Sequence, residues 1–534
     1  MSNSSYRKTT GARQKPRPHR SPNFDSGVLH EPLILFGGQH THVDPKTGIS
    51  LYGPYSPAGQ REPVLTTIIV GIVGPPAMIA DAEQWLSVCR GMLTNDGSEP
   101  FLHPHFPGLN RDSPFGCELV FGETWNQGIR VSDINTAIAE PEDHRRIKRV
   151  VDLYIDAIDV LRNRDPQPHV VLCCIPQDIV DECTGLARQI SRARRPKLSR
   201  QARKVRRDVL SGQRYLFEDM GPSLGLEDAV EGHQNLRRGL KAESMQFGIP
   251  TQLIWPRTLD ITGRPTAPGM RQVQDIATRA WNFTTALYHK AGGSPWRLDG
   301  VRGDVCFVGV SFYREILEAN PMLRTSMAQA FTAAGDGYVL RGNSFEWSDS
   351  QRERSPHLDS KSAAALIRDV LELYQRQNRR SLPSRLVIHK TSRFSDEEIQ
   401  GFEAACRIVP QHDFVAFGNR GIQFYRTGDY PPVRGTFVKF SDTEFALYTD
   451  GYIPYLRTYP GARIPRPVEI IEHHGDSPWN IVLQEVLALT KMNWNTADFS
   501  CSMPITVAFS RKVGEVLAEL PQELPPRPEY RYYM

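Results

Sequence analysis

Two lysines, an arginine and a glutamine have the residue types and spacing of a phosphate-binding group. Arg237 and Lys241 are four residues apart, so they would share one face of a helix. Gln252 ends a Gly-Ile-Pro-Thr-Gln turn into an apolar run, and Lys290 ends a helical stretch just before Gly-Gly. Two cations and an amide donor could converge on one terminal phosphate. For Lys290 taken alone, a charge that complements a helix dipole is the simpler interpretation.

A dense basic tract lies between residues 188 and 207. Ten of its residues are Arg or Lys and none is acidic, whereas the whole chain has a net charge of only +4. Such a tract can bind a phosphate backbone through counterion release, and a solvated helix or loop is the alternative. The residues that we predict to contact a nucleic-acid backbone are Arg194, Arg195, Lys197, Arg203 and Lys204 here, and Lys491 and Asn493 near the C-terminal end.

The composition of the 534 residues is that of a globular protein, with 40% hydrophobic and 23% charged residues. No apolar run reaches the ~18 residues needed to cross a bilayer, so we expect no membrane partner. Eight cysteines occur without a Cys-x-x-Cys pair, which argues against both a zinc site and a secreted disulfide framework. A cytoplasmic location is the simplest expectation.

The pattern of apolar runs predicts two α/β units. Buried strands at 66–76, 169–176 and 248–256 alternate with helical stretches, and a second unit with a mixed sheet begins near Gly303. We predict a disordered basic tail over 1–27, because this segment is rich in Arg, Lys, Ser and Pro and almost free of apolar residues.

The order of these motifs resembles that of Argonaute proteins. Arg-x3-Lys, Gly-Ile-Pro-Thr-Gln and Lys-x-Gly-Gly-x-Pro-Trp are similar to the MID domain, and the opening block at 36–57 resembles prokaryotic Argonautes that lack N and PAZ domains. Blocks that resemble a PIWI domain are 309–315, 386–398, 459–478, 487–495 and 503–514. The chain is too short to hold N, PAZ, MID and PIWI domains together, so it resembles a short prokaryotic Argonaute. The resemblance implies an α/β fold with a Rossmann-like MID domain and N-terminal extension over 28–296, followed by an RNase H-like PIWI domain over 297–534.

The resemblance also implies a pocket for the 5′-phosphate of a guide strand. The matching residues are Arg237, Lys241, Thr251, Gln252 and Lys290. In this family a structural Mg²⁺ ion often bridges guide phosphates, and in some members the C-terminal carboxylate, here that of Met534, joins it.

The positions that hold two catalytic metal ions in slicing Argonautes carry no acid in this sequence. Ser311, Thr391 and Phe509 stand where the family has two Asp residues and an Asp or His. Two dications cannot be held close together without clustered carboxylates, so we predict a chain without nuclease activity.

The function that the resemblance implies is that of a recognition subunit in prokaryotic antiviral immunity. The chain would bind a small 5′-phosphorylated guide RNA and a complementary single-stranded DNA target, and activate an associated APAZ-domain protein with a TIR, sirtuin-like or nuclease effector. Two alternatives stay open: a slicing nuclease with unusual metal ligands, and a nonspecific single-strand binder.

Overall fold

The structure is a computed structural model, and it describes twelve ranges of the chain. They are residues 24–59, 64–95, 99–183, 235–261, 274–301, 304–313, 323–332, 337–346, 356–418, 421–461, 463–521 and 524–534. The basic tract between residues 188 and 207, with Arg194, Arg195, Lys197, Arg203 and Lys204, lies outside these ranges, and its predicted role stays a prediction.

A parallel sheet forms the centre of the N-terminal half. Its strands are β4 (Thr67–Gly74), β5 (Glu118–Val120), β6 (Asn126–Gly128), β7 (Val170–Cys174) and β8 (Thr251–Ile254). The order is β5-β4-β7-β8, with β6 also paired to β4, and every pairing is parallel. β7 is buried along its whole length, which explains why its sequence is a continuous apolar run.

Helices cover both faces of this sheet. They are α2 (Pro76–Arg90), α3 (Val131–Ile138), α4 (Asp143–Arg162), α5 (Gln177–Cys183), α6 (Leu236–Ser244), α7 (Pro256–Leu259) and α8 (Ile276–Lys290), after a first helix α1 (Pro45–Tyr52). Alternate residues of β7 face opposite sides, as a strand requires: Val170 and Leu172 pack in the core that contains α2 and α8, whereas Val171 packs in the core that contains α4. This is the predicted α/β arrangement, with a parallel sheet enclosed by helices.

A nine-stranded mixed sheet forms the C-terminal half. Its strands are β1 (Asp25–Val28), β10 (Val305–Tyr313), β11 (Leu323–Thr332), β12 (Gly337–Glu346), β13 (Arg385–Lys390), β14 (Gln411–Gly418), β15 (Thr436–Lys439), β16 (Phe445–Leu447) and β17 (Val468–Gly475). Their order is β1-β15-β16-β17-β14-β13-β10-β11-β12. The antiparallel meander β10-β11-β12 continues into β13 and β14, which run parallel to β10. This is the mixed sheet expected of an RNase H-like domain.

Helices on both faces of this sheet complete the second domain. They are α9 (Ser360–Gln377), α10 (Asp396–Cys406), α11 (Trp479–Leu489), α12 (Ile505–Ala508) and α13 (Ser510–Leu517). Cys306 and Val308 of β10 pack with α9 and α10, whereas Phe307 faces the core that contains α11, α12 and α13. The two-domain α/β class predicted from the sequence is confirmed.

The first described strand belongs to the C-terminal sheet and corrects two predictions. Residues 25–28 form strand β1, which pairs antiparallel with β15, so residues 25–27 are not part of a disordered tail. The tail was predicted from polar composition, which cannot reveal a partner strand far along the chain. The predicted MID range begins at residue 28, yet Val28 is the last residue of β1 and pairs with Thr436 of the C-terminal sheet. A small sheet of β2 (Ile34–Leu35), β3 (Thr41–His42) and β9 (Arg297–Leu298) follows.

Glu31 fixes this N-terminal segment through two buried cations. Its carboxylate lies 3.0 Å from Nε of Arg434 and 2.8 Å from Nζ of Lys491. Burial opposes ionisation of Glu31, but the two cations outweigh it and hold its pKa below the usual value. The side chains of Arg434 and Lys491 are fully buried, so this carboxylate offsets positive charge that water cannot reach, one negative charge facing two cations.

Two further observations concern the helices and the cysteines. Among the described residues, none of the helices combines the length and the apolar character that a membrane span needs. All eight cysteines are free thiols, and seven of them are buried.

We predict that Glu31→Gln destabilises the fold because it leaves Arg434 and Lys491 as uncompensated buried charges. The expected loss is about 2–4 kcal/mol, measured as a shift of the urea unfolding transition. Glu372→Gln is the matched control, since Glu372 forms an exposed pair with Arg376 and should cost about 0–0.5 kcal/mol. Equal effects of the two substitutions would contradict this role of Glu31.

Candidate functional site

Three elements of the N-terminal domain bring the predicted phosphate-binding residues together. Helix α6 begins at Leu236 because the side chain of Asn235 accepts hydrogen bonds from the backbone N–H groups of Arg237 and Arg238. After α6 and a short 3-10 turn, Gly248 adopts a left-handed conformation with φ of 69°, and the chain reverses into β8. Arg237 and Lys241 thus lie on α6, Thr251 and Gln252 on β8, and Lys290 at the end of α8.

Direct hydrogen bonds join these elements. Nζ of Lys241 donates to the backbone oxygen of Thr251 at 3.1 Å, and Nζ of Lys290 donates to Oε1 of Gln252 at 3.1 Å. The hydroxyls of Ser244 and Thr251 lie 3.4 Å apart beside them. The charge of Arg237 acts on both lysines. Residues separated by up to 53 positions therefore form one cluster, which we call the cation pocket: Arg237, Lys241, Thr251, Gln252 and Lys290.

The cation pocket buries positive charge without neutralising it. Lys241 is 2% exposed and Lys290 is 3% exposed. Among the described residues, neither lysine forms an ion pair with a carboxylate; their hydrogen-bond acceptors are neutral. Burial is the main cause that lowers the pKa of Lys241 well below its usual range, and repulsion from Lys290 and Arg237 adds to it. Burial, with Arg237, also lowers the pKa of Lys290 to about 7.

The neighbouring arginines have different roles. Arg238 forms an ion pair at 2.9 Å with Glu515 of α13 and so ties the two domains together. Burial lowers the pKa of Arg237, and the charge of Glu515 only partly offsets this effect. The arrangement has the chemistry of an anion site, because a phosphate would supply the negative charge that the described side chains do not.

The C-terminal segment packs against the cation pocket, a feature that sequence reasoning largely missed. Residues 524–534, the C-terminal strap, contain a 3-10 turn at Tyr530–Tyr532. Tyr532 donates its hydroxyl to the backbone oxygen of Gly248 at 3.0 Å, and Met534 is buried in the same core. The one signal in the sequence is the cluster of aromatic residues in PEYRYYM, which is unusual for a solvated tail.

The side chains of the pocket do not form a ligand set for a divalent cation. The described residues contain no group of three or more His, Cys, Asp or Glu side chains that could hold a metal ion. At the pocket itself the charged side chains are cations, and the amide oxygen of Gln252 already accepts from Lys290. A Mg²⁺ ion would therefore need most of its oxygen ligands from a bound nucleic acid.

The three positions at which the resemblance predicts metal ligands, Ser311, Thr391 and Phe509, lie at the C-terminal sheet. β10 pairs in parallel with β13 in a register that places Gly309 opposite His389; continued by two residues, it places Ser311 level with Thr391. The hydroxyl of Ser311 donates to the backbone oxygen of Ser510, the residue after Phe509, at 3.5 Å. We call the surface formed by Ser311, Thr391 and Phe509 the Ser311 face.

The Ser311 face is filled by packing and by a satisfied ion pair. Phe509 is 3% exposed, and its ring meets that of Tyr530 edge-on with centroids 5.0 Å apart. Lys390, the residue before Thr391, forms a buried ion pair with Glu398 at 2.6 Å. Glu398 also completes a capping box with Ser395, which confirms that the acidic residues here begin a helix.

The prediction that Lys491 contacts a nucleic-acid backbone is corrected by its position. Its side chain is fully buried, its Nζ pairs with Glu31, and it also donates to the backbone oxygen of Val43 at 2.7 Å. Charge in the sequence indicated a cation but not its partner within the fold. Asn493 is half-buried and accepts from the backbone N–H of Asn495, and its predicted role stays a prediction.

Comparison with solved structures identifies the fold. The chain is similar to Clostridium butyricum Argonaute bound to a guide DNA and a 19-mer target DNA, with a TM-score of 0.60 and 15% identity over 94% of this chain and 54% of that one. A. aeolicus Argonaute matches with a TM-score of 0.54 and 15% identity over 94% and 54%, and Drosophila Piwi with 0.54 and 12% over 95% and 56%. No protein-family model and no curated protein matches the sequence.

The fold is therefore Argonaute-like, with a MID-like N-terminal domain and a PIWI-like C-terminal domain. The chain spans 54–56% of the length of these three structures. At 12–15% identity the likeness concerns the fold alone, so the chemistry must be argued from the residues of this chain.

We predict that anion binding in the cation pocket weakens as the pH rises above about 7, because Lys290 then loses its proton. Sulfate is a suitable probe, since it stays a dianion over the whole interval. Its affinity, measured by calorimetry, should fall roughly tenfold between about pH 6 and pH 9, which corresponds to the loss of one charged hydrogen bond.

Lys290→Arg is the control for this titration, because an arginine in place of Lys290 keeps its charge throughout the interval and should reduce the decrease. A wild-type affinity for sulfate that is the same at both pH values would show that Lys290 does not titrate there.

Proposed function

We propose that this protein is a guide-loaded recognition subunit. The cation pocket anchors the 5′-phosphate of a small guide RNA, and the bound guide pairs with a complementary single-stranded DNA target. Base pairing reads the sequence, while the protein holds the backbone. The resemblance to short Argonautes extends the proposal to a partner, an APAZ-domain effector protein that responds to the paired strands in antiviral defence.

The observation that carries the proposal is the burial of Lys241 and Lys290 with neutral hydrogen-bond acceptors only. Keeping Lys241 and Lys290 buried without a carboxylate is costly unless an anion neutralises them for part of the protein's cycle. Arg237 and Gln252 add a planar cation and an amide at the same place. A terminal phosphate fits this set better than an internal phosphodiester, because its second negative charge has a second cation to meet.

A Mg²⁺ ion at the guide phosphates is part of the proposal only as an ion held by nucleic acid. The pocket side chains supply the positive charge that binds a phosphate, so the 5′-end can be anchored by the protein alone. The C-terminal carboxylate of Met534 is the one anionic group that we propose could assist the ion from the protein side.

The same proposal assigns no cleavage to this chain. Ser311, Thr391 and Phe509 offer a hydroxyl, a hydroxyl and an aromatic ring, none of which can replace a carboxylate as a metal ligand of comparable charge. Glu398, a buried acid that follows Thr391 in the chain, is engaged by Lys390. The function would then depend on how guide and target change the protein's preference for a partner-activating state.

We predict that Lys241→Ala and Lys290→Ala each weaken a 5′-phosphorylated guide by about 1.5–3 kcal/mol, the value of a hydrogen bond to a charged group. The measurement is a binding titration with two guides that differ only in a 5′-phosphate or a 5′-hydroxyl. The hydroxyl guide should bind wild type poorly and lose little more in the variants. Lys361→Ala, which removes an exposed lysine of α9, should change neither affinity.

Equal affinity of the wild-type protein for the two guides would refute the 5′-phosphate assignment. It would favour the nonspecific single-strand binder, which recognises the backbone without regard to its end.

We also predict that the isolated chain does not cut a matched target with Mg²⁺ or Mn²⁺. Restoring a single acid by Ser311→Asp or Thr391→Asp should not produce cleavage, because one carboxylate cannot hold two metal ions. The assay is denaturing electrophoresis of a labelled target after incubation with guide-loaded protein. Specific cutting at a fixed distance from the guide's 5′-end would establish the alternative, a slicing nuclease with unusual ligands.

A further inference from the structure

The C-terminal strap contacts the backbone that carries the cation pocket. Arg527 donates Nε to the backbone oxygen of Met245 at 3.0 Å, and Tyr532 donates its hydroxyl to that of Gly248 at 3.0 Å. Both acceptors belong to the turn between α6 and β8. This turn fixes the spacing between Lys241 on α6 and Gln252 on β8, so any change in that spacing must move the strap or break these bonds.

The same strap is attached to the edge of the PIWI-like sheet. The backbone N–H of Val339 on β12 donates to the oxygen of Pro528 at 2.7 Å, and Glu529 forms an antiparallel bridge with Tyr338. Within six residues the strap thus runs from the edge of one domain to the pocket of the other.

Tyr530 lies at the centre of the strap and packs against both sites. Its ring centroid is 5.0 Å from that of Phe509, with the planes at 88°, and 6.5 Å from that of His289, the residue before Lys290. Tyr530 is 3% exposed, and the charge of Arg237 acts on its hydroxyl. One buried ring therefore contacts the end of helix α8 at the pocket and the residue that fills the Ser311 face.

We propose that Tyr530 and Phe509 couple occupation of the cation pocket to the order of helices α12 and α13 beside the Ser311 face. The inference rests on the proposed phosphate site and adds a regulation to it. A bound phosphate draws Arg237, Lys241 and Lys290 together as charged groups, whereas in the empty pocket these cations repel one another and have no anion to draw them together. Because the interior is close-packed, the resulting shift at His289 is passed to Tyr530 and from there to Phe509.

This coupling gives Phe509 a role other than the loss of a metal ligand. A ligand at this position would point its polar atom at a metal, whereas the phenyl ring presents its surface to Tyr530. A phenylalanine at position 509 cannot bind a metal ion, but its ring packs against Tyr530.

The test is hydrogen–deuterium exchange of the full chain, followed by mass spectrometry, with two oligoribonucleotides of the same sequence. One carries a 5′-phosphate and the other a 5′-hydroxyl, and each is used at saturating concentration. Peptides that cover residues 505–517 should exchange at least about threefold more slowly with the phosphorylated strand. Because the strands differ only at the 5′-end, contacts of the remaining nucleotides cancel in the comparison.

Phe509→Leu should abolish this difference while the preference for the 5′-phosphate is retained, since leucine keeps an apolar side chain but loses the edge-on ring contact. Phe402→Leu is the matched control: Phe402 is a buried ring of the same domain that packs with Phe394 and Phe414, and its variant should keep the difference.

The outcomes separate this inference from the function on which it rests. Equal exchange of residues 505–517 with both strands, in wild-type protein that binds the phosphorylated strand more tightly, would overturn the coupling and leave the pocket intact. Equal affinity for both strands would overturn both. The wild-type comparison needs no variant, so a folding defect in Phe509→Leu would not remove the test.

Discussion

The burial of positive charge is the constraint on which the other features of this molecule depend. Four buried cations of the PIWI-like domain have carboxylate partners: Lys390 pairs with Glu398, Arg434 and Lys491 with Glu31, and Arg385 with Asp413 and Glu485. Lys241 and Lys290 are buried to a similar extent, yet their acceptors in the described structure are a peptide oxygen and an amide. Buried cations are thus paired with carboxylates in the PIWI-like domain, whereas Lys241 and Lys290 of the MID-like domain leave a site that an anion can occupy.

The open site owes its geometry to the edge position of β8. This strand is the last of the order β5-β4-β7-β8, so helices from both sides of the sheet reach it. Leu240 packs in the core with α4 and aligns α6, whereas Leu287 packs in the opposite core and aligns α8. The two lysines therefore approach one strand from two helices that pack in different cores.

Local features of the fold could be predicted from the sequence because their causes are local. The run Val170–Cys174 reads as a strand buried on both faces, Ser395 with three acids reads as a helix start, and Arg237 with Lys241 reads as one helix face. Features that depend on distant partners could not be predicted. Composition gave no sign that residues 25–28 pair with β15, or that the cation of Lys491 meets Glu31 across more than 400 positions. The strap was missed for the same reason, since its contacts are with elements on two different domains.

The pairing of β1 with β15 has a consequence for biosynthesis. Glu31 and its partner Arg434 are separated by 403 positions, so the ribosome must add that length before the first strand can meet its neighbour. At translation rates of about 5–20 residues per second this takes roughly 20–80 s. During that time the β1 strand and its glutamate emerge without their partners, while α2 to α8 can already assemble around β4 and β7. The N-terminal strand can therefore join the second domain only after β15 has been synthesised, although it is made first.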